Sequence, residues 1–152
     1  NFPSFLNAFR DSLADNECSI LMMTFKTDNP KSCGVIKLDG EIVIDMQEKA
    51  VNPQGDTANA AVYGIKPDVV RWICENNEVS DFSTEVLPHF FGKIRSWHNN
   101  DTHRDIGTIR SLLLAQSDKI PTHFDWVNDQ WQIDFENHQI NSLLGSYDKS
   151  EK

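Results

Sequence analysis

Apolar positions along the chain change period several times, and each change marks a new element. Phe5, Leu6, Phe9 and Leu13 recur at helical spacing behind Ser4, which can cap a helix that ends at Asp15-Asn16. Ser19 to Lys26 is a continuous run through Ile20, Leu21 and Met22, the pattern of a strand buried on both faces, and Thr27-Asp28-Asn29-Pro30 stops it. Gly34 to Leu38 and Ile42 to Ile44 flank Asp39-Gly40, a hairpin signal. After a loop around Asn52-Pro53-Gln54-Gly55, Ala58 to Ile65 is small, apolar and strand-like, with Tyr63 inside it. Pro67 opens a helix with Val69, Val70 and Ile73 on one face. Asp81 or Ser83 can cap a helix carrying Val86, Leu87, Phe90 and Phe91, and Gly92 ends it. Lys93 to Trp97 reads as a returning strand, and Thr108 can cap a helix with Ile109, Leu112 and Leu113. Strands interleaved with helices predict an α/β domain whose mixed sheet is flanked by helices. Beyond Pro121, the segment with Trp126, Trp131 and Phe135 has no clear period. It is expected to be an appendage over 121–147, with a loose tail at 148–152.

Composition narrows the class. A chain of 152 residues, 39% hydrophobic and 24% charged, can bury one ordinary core. Its net charge of −9 and pI near 4.9 argue against a nucleic-acid surface, which depends on clustered Lys and Arg. Cys18, Cys33 and Cys74 are odd in number and lack CxxC spacing, so they read as reduced, buried thiols. The five histidines are scattered without zinc-ligand spacing. No stretch is long and apolar enough for a transmembrane helix, and Asn1-Phe2-Pro3 is no signal peptide, so a cytoplasmic protein is expected. A first residue other than Met places the expected natural N-terminus upstream.

Candidate chemistry sits in four places, each with a plain structural reading beside it. Glu48-Lys49 follows the second hairpin strand and offers an acceptor for hydroxyls beside a cation for phosphate, although an isolated Glu-Lys pair is ordinarily solvated surface. Asn59 stands next to Ala60 and Ala61, so small that a ligand could touch the backbone; alone, the stretch reads as packing. Gly34 opens a strand, where it either relieves crowding or admits a ligand. Asp105, in Arg104-Asp105-Ile106-Gly107-Thr108, lies just before a helix N-terminus, a place suited to a metal ion and phosphate oxygens. It could equally cap that helix or pair with Arg104.

Taken in order, Cys33-Gly34-Val35-Ile36, Glu48-Lys49, Asn59-Ala60-Ala61-Val62-Tyr63, Asp81 to Pro88 and Arg104 to Thr108 resemble the second half of the sugar-1-phosphate nucleotidyltransferases. The likeness runs from Ser4 to Leu114 and is greatest to mannose-1-phosphate guanylyltransferase-like and glucose-1-phosphate thymidylyltransferase-like members. It implies the C-terminal part of a Rossmann-like nucleotide-diphospho-sugar transferase fold, with residues 1–120 as its sugar-phosphate-binding half. By the same resemblance Gly34 approaches the sugar through its backbone, Glu48 binds sugar hydroxyls and Lys49 contacts the sugar phosphate. Asn59 lines the sugar pocket and Asp105 helps hold Mg²⁺. Asp81-Phe82-Ser83 looks like a helix start. Ala50 stands where the family usually has proline after Glu-Lys, which alters the expected loop shape.

The implied reaction joins a sugar 1-phosphate to a nucleoside triphosphate, releasing pyrophosphate and an NDP-sugar. The family's glycine-rich triphosphate loop is not among these residues. The expectation is therefore a C-terminal fragment, inactive alone, whose partner is the missing N-terminal half of the same enzyme. The alternative is a complete, non-catalytic sugar-phosphate-binding or regulatory subunit, whose exposed strand edges another chain would cover. Neither nucleic acid nor membrane is an expected partner, and residues 124–135 would be the interface of any homo-oligomer.

Overall fold

The structure, a computed structural model, describes residues 2–118 together with 134, 137 and 138. The expected appendage 121–147, the tail 148–152 and the interface at 124–135 therefore fall outside the described residues, save for those three positions. The chain divides into two compact units, Asn1–His103 and Arg104–Lys152.

The first unit is built on β1 (Ile20–Lys26), a strand buried along most of its length. Its side chains alternate between two cores, as the period-two geometry of a strand requires. Ile20 and Met22 point into a core with Val69, Val86, Leu87, Phe90 and Ile94, whereas Leu21 and Met23 pack with Phe5 and Ala60. The first core is covered by α2 (Pro67–Glu75), a π-helical turn at Phe82–Val86 and the short α3 (Leu87–His89). The second is covered by α1 (Phe2–Ser12). Helices thus flank the sheet, as expected.

The other strands are β2 (Gly34–Asp39), β3 (Ile42–Glu48), β4 (Thr57–Ile65) and β5 (Ile94–His98). The sheet is mixed: β5 runs parallel to β1, and every other pair is antiparallel. Its order is β1-β4-β2-β3-β5, and the ladder returns on itself because Ile42 and Val43 of β3 pair with Arg95 and Ile94 of β5. The hydrophobic pattern predicts the strands but not this closure, which depends on pairings between distant segments.

Several local expectations are corrected. Ser4 does not cap the first helix, which already begins at Phe2. The buried face of α1 carries Phe5 and Phe9, while Leu6 and Leu13 are exposed. On α2, Val69 and Ile73 face the core as expected, but Trp72 joins them and Val70 faces outward. The hairpin turn is Gly40-Glu41, because Asp39 pairs with Ile42; Gly40 has φ +59°, as the first central position of a primed turn requires. All three cysteines are free thiols, but only Cys18 is buried as expected; Cys33 is half-buried and Cys74 exposed. Among the described residues no helix is long and apolar enough to cross a membrane.

In the second unit, α4 (Ile109–Gln116) is capped by Thr108, whose hydroxyl accepts from the Ser111 N–H at 3.0 Å while the Ser111 hydroxyl accepts from the Thr108 N–H at 3.1 Å. This reciprocal pair satisfies two donors at the helix start.

Candidate functional site

The β2–β3 ladder places Gly34 directly opposite Glu48. A Cβ on Gly34 would lie 2.6 Å from Glu48 Oε2 and 3.1 Å from Met46 Sδ, so the carboxylate occupies the space that a side chain would fill. Any larger residue there would displace it. The strand ends at Glu48, and Lys49 turns the chain with φ +46° while its N–H donates to the Cys33 carbonyl at 3.1 Å. A left-handed conformation is costly for a residue with a Cβ and persists only where its surroundings enforce it. Lys49 and Glu48 are both exposed.

β4 supplies the amide. Asn59 Nδ2 donates to Tyr63 Oη at 2.6 Å and lies 3.7 Å from Met46 Sδ, while Asn59 Oδ1 accepts from the Ala61 N–H at 2.9 Å. Met46 therefore touches both the Gly34 side and the Asn59 side of the cluster. The Tyr63 ring packs against Phe82, with centroids 4.8 Å apart. Burial holds the Tyr63 phenol above its usual value of 10.0; hydrogen bonds with Asn59 and Ser83 pull it down, and the carboxylates of Glu48 and Asp81 push it further up. Gly34, Met46, Glu48, Asn59, Tyr63 and Ser83 are thus drawn together on the first unit. Chemically, the group offers a carboxylate acceptor, an amide, a phenol and, immediately after Glu48, a cation. Such a set suits a hydroxyl-rich ligand carrying negative charge.

Tyr63 and Ser83 are functional candidates that the sequence pattern did not single out. Asp81 does start a helix, since its Oδ1 accepts from the Thr84 N–H at 2.7 Å and from the Thr84 hydroxyl at 2.8 Å. These bonds hold its carboxyl below the usual 3.8. Phe82 and Ser83, the next residues, reach Tyr63. Tyr63 figures in the sequence only as the end of the Asn59 to Tyr63 stretch, with no role of its own; folding makes it the neighbour of the Asn59 amide.

Asp105 belongs to the second unit and is described there by its own neighbours. Both plain readings of it are excluded. Thr108 caps α4, and Arg104 pairs with Asp118 through two bonds of 2.6 Å. That bidentate contact lowers the Asp118 carboxyl from its usual 3.8. Asp105 Oδ1 accepts from the Gly107 N–H at 2.9 Å, which orients the exposed carboxylate. Among the described residues no group of three His, Cys, Asp or Glu side chains could hold a metal ion. Mg²⁺ commonly takes only one or two carboxylates and completes its shell with water and phosphate oxygens, so Asp105 fits as one ligand of such an ion.

A family model described as Nucleotidyl transferase matches residues 1–120. Among solved structures, the chain is similar to a Bacillus anthracis protein provisionally described as a glucose-1-phosphate thymidylyltransferase, crystallised in complex with a sucrose. The two share 19% identity with a TM-score of 0.59 over 74% of this chain and 48% of that one. The chain thus spans about half the length of the structure that it matches. No curated protein matches it. At this identity the likeness establishes the fold, an α/β arrangement with a mixed sheet.

Proposed function

The chain belongs to the nucleotidyl transferase family, and from that premise we propose that residues 1–120 form the sugar-phosphate-binding half of an enzyme making an NDP-sugar from a sugar 1-phosphate and a nucleoside triphosphate. The observation that carries this reading is the Glu48 carboxylate held over Gly34, with the Asn59 amide linked to the same place through Met46. In this reading Glu48 accepts hydrogen bonds from sugar hydroxyls, and the missing side chain of Gly34 lets the sugar approach the backbone. Asn59, backed by Tyr63, contributes a further polar contact. Lys49, turned out of the ladder by its left-handed backbone, places its ammonium on the phosphate of the sugar.

A phosphate oxygen of the sugar 1-phosphate attacks the α-phosphorus of the triphosphate; the bond to the bridging oxygen breaks and pyrophosphate departs. Transfer of this kind depends on positioning and on neutralising charge. Bound Mg²⁺, with Asp105 as one ligand, would supply charge neutralisation at the α-phosphate. Lys49 screens the repulsion between the two anions, and Glu48 and Asn59 choose the sugar. The triphosphate loop would come from the other half of the enzyme.

Mixing the full-length protein with Mg²⁺, a panel of nucleoside triphosphates and sugar 1-phosphates should release pyrophosphate only for matched pairs. Lys49→Ala should abolish most of that release. Sugar 1-phosphate binding without turnover by any pair would select the alternative, a non-catalytic binding subunit, and absence of binding to any sugar 1-phosphate would refute both.

A further inference from the structure

β4 does not run regularly past β1. Tyr63 pairs with Met22 and Asn59 with Thr24, so four steps of β4 are folded against two of β1. A regular strand advances about 3.3 Å per residue, which would put the α-carbons of Asn59 and Tyr63 roughly 13 Å apart. Side chains standing perpendicular to the sheet cannot bridge that gap, yet Asn59 Nδ2 and Tyr63 Oη are 2.6 Å apart. The bulge is what joins them. Its geometry also preserves the faces of the strand: two extra residues keep the alternation in step, whereas one would have turned every later side chain over. Ala60 and Val62 accordingly remain on the α1 core while Tyr63 remains on the other.

At the centre of the bulge Ala61 is exposed and has φ +55°. Its side chain packs into neither core, so its conformation is not imposed by burial. Among the described residues, the side-chain bond that holds it comes from Asn59, whose Oδ1 accepts the Ala61 N–H at 2.9 Å. Because a backbone N–H can only donate, this bond also decides which end of the amide is which. The oxygen is committed to the backbone and the nitrogen faces Tyr63.

We infer that Ala61 is a positioning residue of the proposed site: its left-handed backbone forms the bulge that brings Asn59 to Tyr63 and fixes the Asn59 amide with its nitrogen donating to the Tyr63 hydroxyl. The inference rests on the sugar-phosphate reading above and deepens it. The Tyr63 hydroxyl, accepting from Asn59, keeps its own hydrogen to donate, so the site presents a donor beside the acceptor Glu48 and selects a sugar oxygen able to accept. Glycine at position 61 would adopt the same conformation without a Cβ, and a β-branched residue would resist it.

The test compares Ala61→Gly and Ala61→Val in the full-length protein, using glucose 1-phosphate and mannose 1-phosphate as probes. Ala61→Gly should keep KM for the sugar 1-phosphate within about twofold. Ala61→Val should raise it roughly 3- to 10-fold, the size of one lost hydrogen bond, with kcat and the nucleotide KM unchanged. The side-chain amide signal of Asn59 in a nitrogen–proton NMR spectrum, identified by its loss in Asn59→Asp, should move in Ala61→Val and stay in Ala61→Gly. A folded Ala61→Val protein with wild-type KM and an unmoved amide signal would overturn the inference. Should that variant not fold, backbone shifts and couplings of Ala61 in the wild-type protein decide it, because an extended Ala61 is incompatible with the proposal. If the wild type binds no sugar 1-phosphate, the functional reading falls, while the same NMR measurements still judge the positioning of Asn59.

Discussion

Replacing Gly34 with alanine separates binding from stability. The added Cβ would meet Glu48 Oε2 at 2.6 Å and Met46 Sδ at 3.1 Å, where carbon prefers neighbours roughly 3.5–4.0 Å away. The carboxylate must therefore retreat by about an ångström or swing aside. Glu48 is exposed and flexible at its end, and Gly34 does not use a left-handed backbone, so the fold can accept the change. Gly→Ala at a compatible site even gains about 0.4–1 kcal/mol by restricting the unfolded chain, which offsets part of the crowding. Net stability should stay within about 1 kcal/mol of wild type. Binding should not. Hydrogen bonds to a charged group contribute about 1.5–3 kcal/mol, so misplacing the Glu48 carboxylate should weaken sugar 1-phosphate binding by about 10- to 150-fold. Titration calorimetry with the sugar 1-phosphate, alongside thermal melts, measures both quantities. Glu48→Ala should weaken binding similarly, and adding Gly34→Ala to it should cost little more, because the two changes remove the same contact. A folded Gly34→Ala protein with unaltered affinity would refute the argument that Gly34 acts by making room for Glu48.

Other perturbations follow from the same contacts. Burial raises the Tyr63 phenol above 10.0, so its stabilising contribution is complete below that value and disappears as pH rises through the folded value; Tyr63→Phe should flatten this part of the alkaline loss of Tm. Thr108→Ala removes the cap of α4 and should cost about 1 kcal/mol in melts, whereas Asp105→Asn should leave the Tm nearly unchanged but abolish most Mg²⁺-dependent pyrophosphate release. Equal turnover in Asp105→Asn would remove the proposed metal role. A Cβ at Gly64 would strike the ring of Phe9, and because that ring is wedged between α1 and the sheet, Gly64→Ala should lower stability by about 1–3 kcal/mol, read from denaturant midpoints.

Elements whose cause is local were legible in the sequence. Pro67 at the first turn of α2, Asp81 before its π-helical turn, Thr108 before α4 and Gly92 in a left-handed ending each act on a few neighbouring bonds. The unbroken apolar run of β1 likewise announces burial on both faces. Where several residues share one helix face, the pattern overreached: Leu6, Leu13 and Val70 have the right period and the wrong side, because which apolar stripe is covered depends on what lies opposite. The candidate site divides in the same way. Gly34, Glu48 and Asn59 stand out by residue type and order, and the β2–β3 register explains how Gly34 and Glu48 meet.

Residue order alone therefore determined the element types, the family likeness and the chemistry on offer. Tertiary structure decided that the ladder closes through β3 and β5, that Tyr63 and Ser83 belong with Asn59, and that Arg104 serves Asp118, leaving Asp105 apart from it. The physical reason is range. Caps and turns are settled by bonds spanning three or four residues, whereas a bulge or a closing strand pair is settled by whichever distant segment the chain finally rests against.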